Sequence, residues 1–448
     1  MKKMKKYFGT DGIRGKANTS KMNAILAVNI GMAAAKFFTR GNHTHHVLIG
    51  KDTRLSNYTI EPALTAGFLS MGMNVYLTGP IPTPGVSALV SSMRCDVGVM
   101  ISASHNHYTD NGIKIFGPDG RKLSDNEEAK IENLIDSKLK KLVKSENLGR
   151  AKRIDDAGGR YIEYLKSKIS RSLRLDNLKI IVDCANGAAY KVAPKILWEL
   201  GAEVISMNID PDGTNENKDS GSTYPDNLIK KVKEEKADVG IALDGDADRC
   251  ILVDEKGNLI NGDKILAIIA THWKENNSLY NNTVVGTIMT NKALENYLLE
   301  NNIELIRTKV GDRNIIKEMK SKEFIIGGEP SGHIILNNHS STGDGILASL
   351  EVLGIMKTKK RKLSKLSNIY RPFPQIIENY PLKKNQDVEK LINKVEKKIK
   401  RLLNYNQARL IIRKSGTENK IRVMSEADNM ETTKYNVQEV FKIIKELI

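Results

Sequence analysis

Asp244, Asp246 and Asp248 stand at alternate positions in LDGDADRC, separated only by Gly245 and Ala247. Three carboxylates held so close repel one another, and a bound divalent cation is the simplest device that keeps them together. An all-oxygen donor set favours Mg2+ or Ca2+ over zinc. Glu255 falls at the twelfth position counted from Asp244, as in an EF-hand loop. The sixth position is Arg249 rather than glycine, however, and the flanks read as strands, so that reading fails. An apolar strand feeds the motif, which speaks against a merely solvated acidic turn. Arg249 could pair with these carboxylates or reach a phosphate, since its planar fork suits both.

Three further stretches carry chemistry. ARLIIRKSGTENKIRV sets Arg413, Lys414, Ser415, Gly416, Thr417 and Arg422 around one turn. Hydroxyls, backbone amides freed by a glycine, and guanidinium groups are what a cluster of anionic oxygens needs. A plain hairpin with charged faces would look similar, but beside a carboxylate metal site, phosphate chemistry explains both motifs together. GGEPSGH places Glu329, Ser331 and His333 at alternate positions after an apolar strand, where a carboxylate and a hydroxyl can bind vicinal sugar hydroxyls. Pro330 would also suit an ordinary turn. In MISASHNHYTDNGIKIF, Ser104 follows a buried-looking strand and could be a loop filler, a helix cap or a nucleophile.

The elements that must position these groups alternate between strand-like apolar runs and stretches with helical spacing. HHVLIGKDTR, DVGVMISASHN, LKIIVDCANGAAY, DVGIALDGDADR and EFIIGGEPSGH each end in a polar or glycine-rich loop. Segments such as NAILAVNIGMAAAKFF and DNEEAKIENLIDSKLKKL, between them, have apolar residues at helical intervals. This alternation predicts α/β units with largely buried sheets. Loops beyond the carboxyl ends of such strands gather chemistry. SASHN, DGDADR and GGEPSGH all stand there, which predicts one architecture repeated three times. After KTKKRKLSKL, the strands around KSGTEN and the flanking helices read as a small α+β domain. Boundaries are expected near residues 152, 254 and 367.

At 448 residues, with 40% hydrophobic and 27% charged, the chain is long enough for about three domains by the length prior, and disorder is excluded. No run of about 18 apolar residues suggests a membrane span. MKKMKKYFGTDG begins like a signal peptide but lacks the apolar region, so a cytoplasmic protein is expected. Cys95, Cys184 and Cys250 form no CxxC pair and read as buried small hydrophobes. The net charge of +17 raises nucleic acid as a partner, but the lysines are dispersed and aromatics are only 5%, leaving few stacking platforms. His43, His45 and His46 read as a solvated loop rather than a metal tract. The string HNH at 105–107 is coincidence, and KKRK at 359–362 is expected in an interdomain linker.

Taken together, GTDGIRG, ISASHN, VDCANGAAY, DGDADR, VGDR, GGEPSGH and TGDG, in that order, resemble the α-D-phosphohexomutase superfamily, and within it the branch acting on glucosamine phosphates. The resemblance spans nearly the whole chain. It implies an α/β protein of four domains around a central cleft: 1–152, 153–254, 255–367, and a smaller α+β domain, 368–448. It implies an intramolecular phosphotransferase of the isomerase class that interconverts glucosamine 6-phosphate and glucosamine 1-phosphate for UDP-N-acetylglucosamine and cell-wall precursors. Ser104 matches a phosphorylated serine, and Asp244, Asp246 and Asp248 match Mg2+ ligands, with the serine phosphate completing the metal site. Lys114, Arg249 and Arg14 match groups around the phosphoserine. Strand alternation also turns Lys114 away from Ile113 and Ile115, as a site-facing or solvent-facing lysine.

Glu329 and Ser331, with His333 beside them, match the sugar loop. Arg413, Ser415, Gly416, Thr417 and Arg422 match a distal phosphate loop. The implied partners are small hexosamine phosphates, without nucleic acid or membrane, and a homodimer stays open. A phosphoglucomutase or phosphomannomutase is the alternative within the family, and a Mg2+-dependent phosphatase a further one. His107 and Asn419 stand where the resemblance implies proline, so that His107 would loosen the Ser104 loop or add a titratable group to it and Asn419 would soften the phosphate hairpin.

Overall fold

The computed structural model describes residues 6–9, 11–137, 141–382, 388–402, 408–414 and 420–448. The chain forms two compact units, Met1–Met289 with Ile303–Ser367, and Thr290–Asn302 with Asn368–Ile448. Among the described residues no helix is long and apolar enough to cross a membrane.

The larger unit holds three mixed sheets. In the first, the strands Asp110–Phe116, Val97–Ile101, His46–Lys51 and Asn74–Pro80 lie side by side in that order. In the second the order is Cys250–Asp254, Val239–Leu243, Lys179–Asp183 and Glu203–Met207, and in the third Ile334–Leu336, Ile326–Gly328, Thr283–Thr287 and Glu304–Thr308. Numbered along the chain within each set, the strand order is fourth, third, first, second every time. The last three are mutually parallel and the fourth runs antiparallel. The predicted threefold repetition is therefore present as one strand order used three times.

Apolar sequence explains the sheets. Every residue of Val97–Ile101, Val239–Leu243 and Cys250–Asp254 is buried, as expected where helices cover both faces. Around the first sheet, Ile30, Ala34, Leu64 and Phe68 of the helices Ala24–Phe38 and Asn57–Leu69 share a core with Val47, Val97, Val99 and Ile113.

In each set, the turn from the third strand into the antiparallel fourth carries one of the sequence-predicted loops. Ser104 lies between Ile101 and Asp110, the aspartates between Leu243 and Cys250, and Glu329, Ser331 and His333 between Gly328 and Ile334.

The smaller unit has a sheet of three strands, Gln375–Pro381, Lys420–Ala427 and Ala408–Lys414, all antiparallel. The first of these extends the two-strand expectation. Val395 and Ile399 of the helix Val388–Leu402 bury with Val440 and Ile444 of Met430–Leu447 and with Ile421 and Val423 of the sheet. The segment Thr290–Asn302 joins this unit through Lys292 N–H, which donates to Glu426 Oε1 at 2.8 Å, and through paired bonds between Asn291 and Phe373.

Candidate active site

Ser104 is a buried residue with φ 57°, a left-handed conformation costing a residue with a Cβ about 1–2 kcal/mol. Contacts hold it there. Its N–H donates to Ser102 Oγ at 2.8 Å, and its Oγ donates to Asp244 Oδ2 at 2.6 Å. The neighbouring hairpin can approach because Gly245 has no side chain: a Cβ there would lie 2.7 Å from Ser104 O and 2.2 Å from Glu216 Oε1. The same loop is braced by Ala188 N–H, from the VDCANGAAY stretch, donating to Gly245 O at 2.7 Å.

Asp244, Asp246 and Asp248 are all buried, each offering an oxygen within 4.8 Å of the others. Asp246 Oδ2 accepts from Lys114 Nζ at 2.6 Å and from Thr83 Oγ1 at 2.5 Å. Asp246 Oδ1 and Asp248 Oδ1 are buried without a hydrogen-bond partner. Such oxygens are costly to desolvate unless something cationic meets them. Burial, and then Asp248 and Asp246, push the Asp244 carboxyl up to about 7. This donor set fits a divalent cation, and the flanks are strands, as the rejection of an EF-hand requires.

Each cationic group around the aspartates has an acidic partner. Lys114 is site-facing: fully buried, it sits 3.4 Å from both Asp248 Oδ2 and Asp11 Oδ2 as well as against Asp246. Burial alone would lower its pKa, but Asp11, Asp246 and Asp248 outweigh burial and hold it above the ordinary range. Arg14 binds the Asp11 carboxylate and donates to Ala103 O at 3.2 Å, one residue before the serine. Arg249 keeps its Nε buried without a hydrogen-bond partner, 3.8 Å from Asp248 Oδ1. Its guanidinium therefore faces the aspartates as an ion pair without a hydrogen bond through Nε.

In the hairpin between Gly328 and Ile334, Glu329 Oε1 accepts Gly311 N–H at 3.0 Å, and Ser331 Oγ is buried without a partner. His333 Nδ1 lies 3.5 Å from Asp248 Oδ1, and its Nε2 3.9 Å from Asp312 Oδ2. Burial would lower the His333 pKa, but Asp248 outweighs it and raises it. A Cβ on Gly343, in TGDG, would sit 2.4 Å from the His333 ring, so only glycine admits it. Ser104, Lys114, Arg14, Arg249, His333 and the three aspartates thus form one continuous set of contacts.

Arg413 and Arg422 lie in the smaller unit, directly opposite each other on adjacent antiparallel strands. Burial and then Arg422 lower the Arg413 pKa. Like charges in register are unfavourable unless an anion joins them. Ser415, Gly416, Thr417 and Asn419 lie outside the described residues.

Sequence reasoning assigned no role to several residues that complete the set. Asp11, from GTDG, takes Lys122 Nζ at 2.5 Å, and Lys122 also reaches Asp312, from VGDR, at 2.5 Å. His105 Nδ1 is 3.4 Å from Ser104 Oγ, and burial, then Arg249 and Arg14, push its pKa down to about 4. Arg54 and Asn217 both donate to Ser104 O. The Asp52-Thr53-Arg54 run, after an apolar strand, was the available signal.

Two expectations are corrected. His45 is buried with Nδ1 3.2 Å from Asp96 Oδ1, so the histidine run is not a solvated loop throughout. Lys359 and Lys360 end the helix Gly345–Lys359 rather than forming a linker, where positive charge suits the helix carbonyl end.

Four family models match consecutive stretches: phosphoglucomutase/phosphomannomutase alpha/beta/alpha domain I at residues 5–141, domain II at 159–257, domain III at 261–373, and the C-terminal domain at 375–443. Phosphoglucosamine mutase of Parvibaculum lavamentivorans is 50% identical over 447 residues, covering 98% of this chain and 99% of its own. That of Zymomonas mobilis is 51% identical over 446 residues, covering 98% and 99%. Among solved structures, a phosphoglucomutase/phosphomannomutase family protein from Burkholderia thailandensis superposes with TM-score 0.82 at 22% identity, covering 97% of both chains. Aspergillus fumigatus N-acetylphosphoglucosamine mutase does so with 0.68 at 18%, covering 98% and 96%. With four domain matches in order and relatives half identical from end to end, the chain belongs to the phosphoglucomutase/phosphomannomutase family.

Proposed function

We propose that this chain interconverts glucosamine 6-phosphate and glucosamine 1-phosphate, with Ser104 as the phosphoryl carrier. The full-length relatives that are half identical to it support this substrate over glucose or mannose phosphates. The observation that carries the chemistry is the hydrogen bond from Ser104 Oγ to Asp244 Oδ2, which joins the serine to a buried carboxylate cluster.

In the forward half-reaction the bond between Ser104 Oγ and phosphorus breaks and a bond from the free sugar hydroxyl to phosphorus forms. The hydroxyl proton is returned to Ser104 Oγ, leaving a 1,6-bisphosphate. The reverse transfer, from the other phosphate, regenerates phosphoserine after the intermediate turns over. Lys114 and Arg249 face the transferring oxygens, where developing charge must be stabilised. Glu329 and Ser331 bind sugar hydroxyls, and the opposed Arg413 and Arg422 take a phosphate of the substrate, with Ser415, Gly416 and Thr417 in the same role. Asp244, Asp246 and Asp248 would hold Mg2+, which when bound neutralises phosphoryl oxygens. Their all-oxygen donor set supports that choice.

The partners in this reading are small hexosamine phosphates, without nucleic acid or membrane. Three free, buried cysteines suit a reducing cytoplasm. Parallel assays on glucosamine, glucose and mannose 1-phosphates test the substrate: a preference for glucosamine supports it, and equal or greater turnover of the others overturns it. Release of inorganic phosphate matching substrate loss would instead make the protein a phosphatase.

A further inference from the structure

Arg54 is a completely buried arginine that spends its guanidinium on one loop. Its Nη2 donates to Ser104 O at 2.8 Å and Asn106 O at 2.9 Å, and its Nη1 to His107 O at 2.6 Å and Asp110 O at 3.0 Å. Two carboxylates fix the guanidinium in turn. Nε donates to Asp52 Oδ2 at 2.8 Å, and Nη2 lies 2.7 Å from Glu216 Oε1. Glu216 is itself anchored, accepting Thr53 N–H at 3.1 Å and Thr53 Oγ1 at 2.8 Å on its other oxygen.

Asn217 brings a second donor to the same carbonyl: its Nδ2 reaches Ser104 O at 2.9 Å. The peptide groups on both sides of the Ser104 Cα are therefore tied, the N–H to Ser102 Oγ and the C=O to Arg54 and Asn217. A serine with φ 57° keeps an unfavourable backbone only where its surroundings over-determine it. Released, the residue would relax to negative φ and swing Oγ away from Asp244.

We propose that Arg54, seconded by Asn217, is a positioning residue for phosphoryl transfer: it holds Ser104 in the left-handed conformation that aims Oγ at the carboxylate cluster. The proposal rests on the reading of Ser104 as the phosphoryl carrier. Lysine cannot replace the arginine, because a three-donor ammonium lacks the fork that spans four carbonyls and two carboxylates.

The test uses the full-length protein and the variants Arg54→Lys and Asn217→Ala, loaded by incubation with glucose 1,6-bisphosphate and Mg2+, with Ser104→Ala treated alike as the control that cannot be loaded. Arg54→Lys should lose kcat by about tenfold to a hundredfold, the scale of a small misplacement of a reacting group. Asn217→Ala should show a smaller loss of the same kind. In both, KM for glucosamine 6-phosphate should stay within about twofold, as expected when ground-state binding is untouched. The 31P resonance of the phosphoserine should shift or broaden in Arg54→Lys, a change that a merely stabilising arginine would not cause in folded protein.

Full kcat per folded molecule in both variants, with an unchanged 31P resonance, overturns the proposal. So does a rise in KM at constant kcat. If Arg54→Lys does not fold, Asn217→Ala decides, because it removes the other donor to the same carbonyl. Turnover surviving in Ser104→Ala would overturn the phosphoserine reading itself, whereas an inactive Ser104→Ala beside fully active Arg54→Lys and Asn217→Ala overturns only the positioning role.

Discussion

Ser104 Oγ donates to Asp244 Oδ2 at 2.6 Å although 140 residues separate them in the chain. The bond closes two hairpins from two different sheets onto each other. Ser104→Ala removes the oxygen to which phosphorus would be attached, and turnover should fall to background even with bisphosphate supplied. Stability should change by only about 1 kcal/mol, the net worth of one hydrogen bond. A coupled assay and a urea titration on the same preparation check both halves.

A divalent cation in the aspartate cluster would stabilise the fold as well as support activity, because Asp246 Oδ1 is buried without a hydrogen-bond partner. Chelation should abolish turnover, and Mg2+ at about a hundred times its Kd should restore it and stabilise the fold by about 2.7 kcal/mol. Asp246→Asn should bind Mg2+ at least about tenfold more weakly. Thermal melts across a Mg2+ titration of both proteins measure the difference.

Asp344, next to the glycine that packs on His333, gives a pH signature of its own. It caps the helix Gly345–Lys359, accepting Leu347 N–H at 2.9 Å, and takes Tyr161 Oη–H at 2.9 Å on its other oxygen. Burial pushes its carboxyl from the ordinary 3.8 up to about 6. Between those values the folded chain binds more proton than the unfolded one, so this group's contribution to stability falls as pH rises from about 4 to about 6. The full loss is about 3 kcal/mol at 1.4 kcal/mol per unit. Asp344→Asn keeps a capping oxygen and should gain on the wild type across that window. Urea midpoints at pH 4, 5, 6 and 7 should diverge in favour of the variant, and parallel midpoints would contradict the assignment.

Arg413 and Arg422 face each other across a strand pair. Arg413→Gln relieves that repulsion, so the smaller unit should be no less stable, while KM for glucosamine 6-phosphate should rise about tenfold or more through loss of a charged hydrogen bond. Steady-state kinetics at fixed ionic strength, with inorganic phosphate as competitor, separate this from a general salt effect.

The chemistry was legible where residue types force it. Three aspartates at alternate positions after an apolar strand read as a cation site before any fold is known, and Lys114 between two isoleucines on a strand has one face to choose. Asp11, Lys122 and Asp312 were invisible because each looks like an ordinary surface charge until three chain segments meet. Arg54 left a trace in the Asp52-Thr53-Arg54 run after an apolar strand, but its grip on the Ser104 loop needs the fold and bears on His107. His107 was expected either to loosen the loop or to add a titratable group to it. Its ring lies at the surface with Nδ1 3.0 Å from Thr109 Oγ1, and its carbonyl is gripped by Arg54. A proline would offer that same carbonyl, so the grip does not depend on the side chain.

The recurring strand order has a consequence for ancestry. A four-strand unit whose last turn is free to vary is a blank socket, and this chain carries three copies whose turns hold Ser104, the three aspartates, and Glu329 with Ser331 and His333. Triplication of one such unit followed by specialisation of each turn would yield the larger unit without inventing a new backbone. New specificities within the lineage should then arise by rewriting turns of five to eight or so residues, with the sheets left as they are.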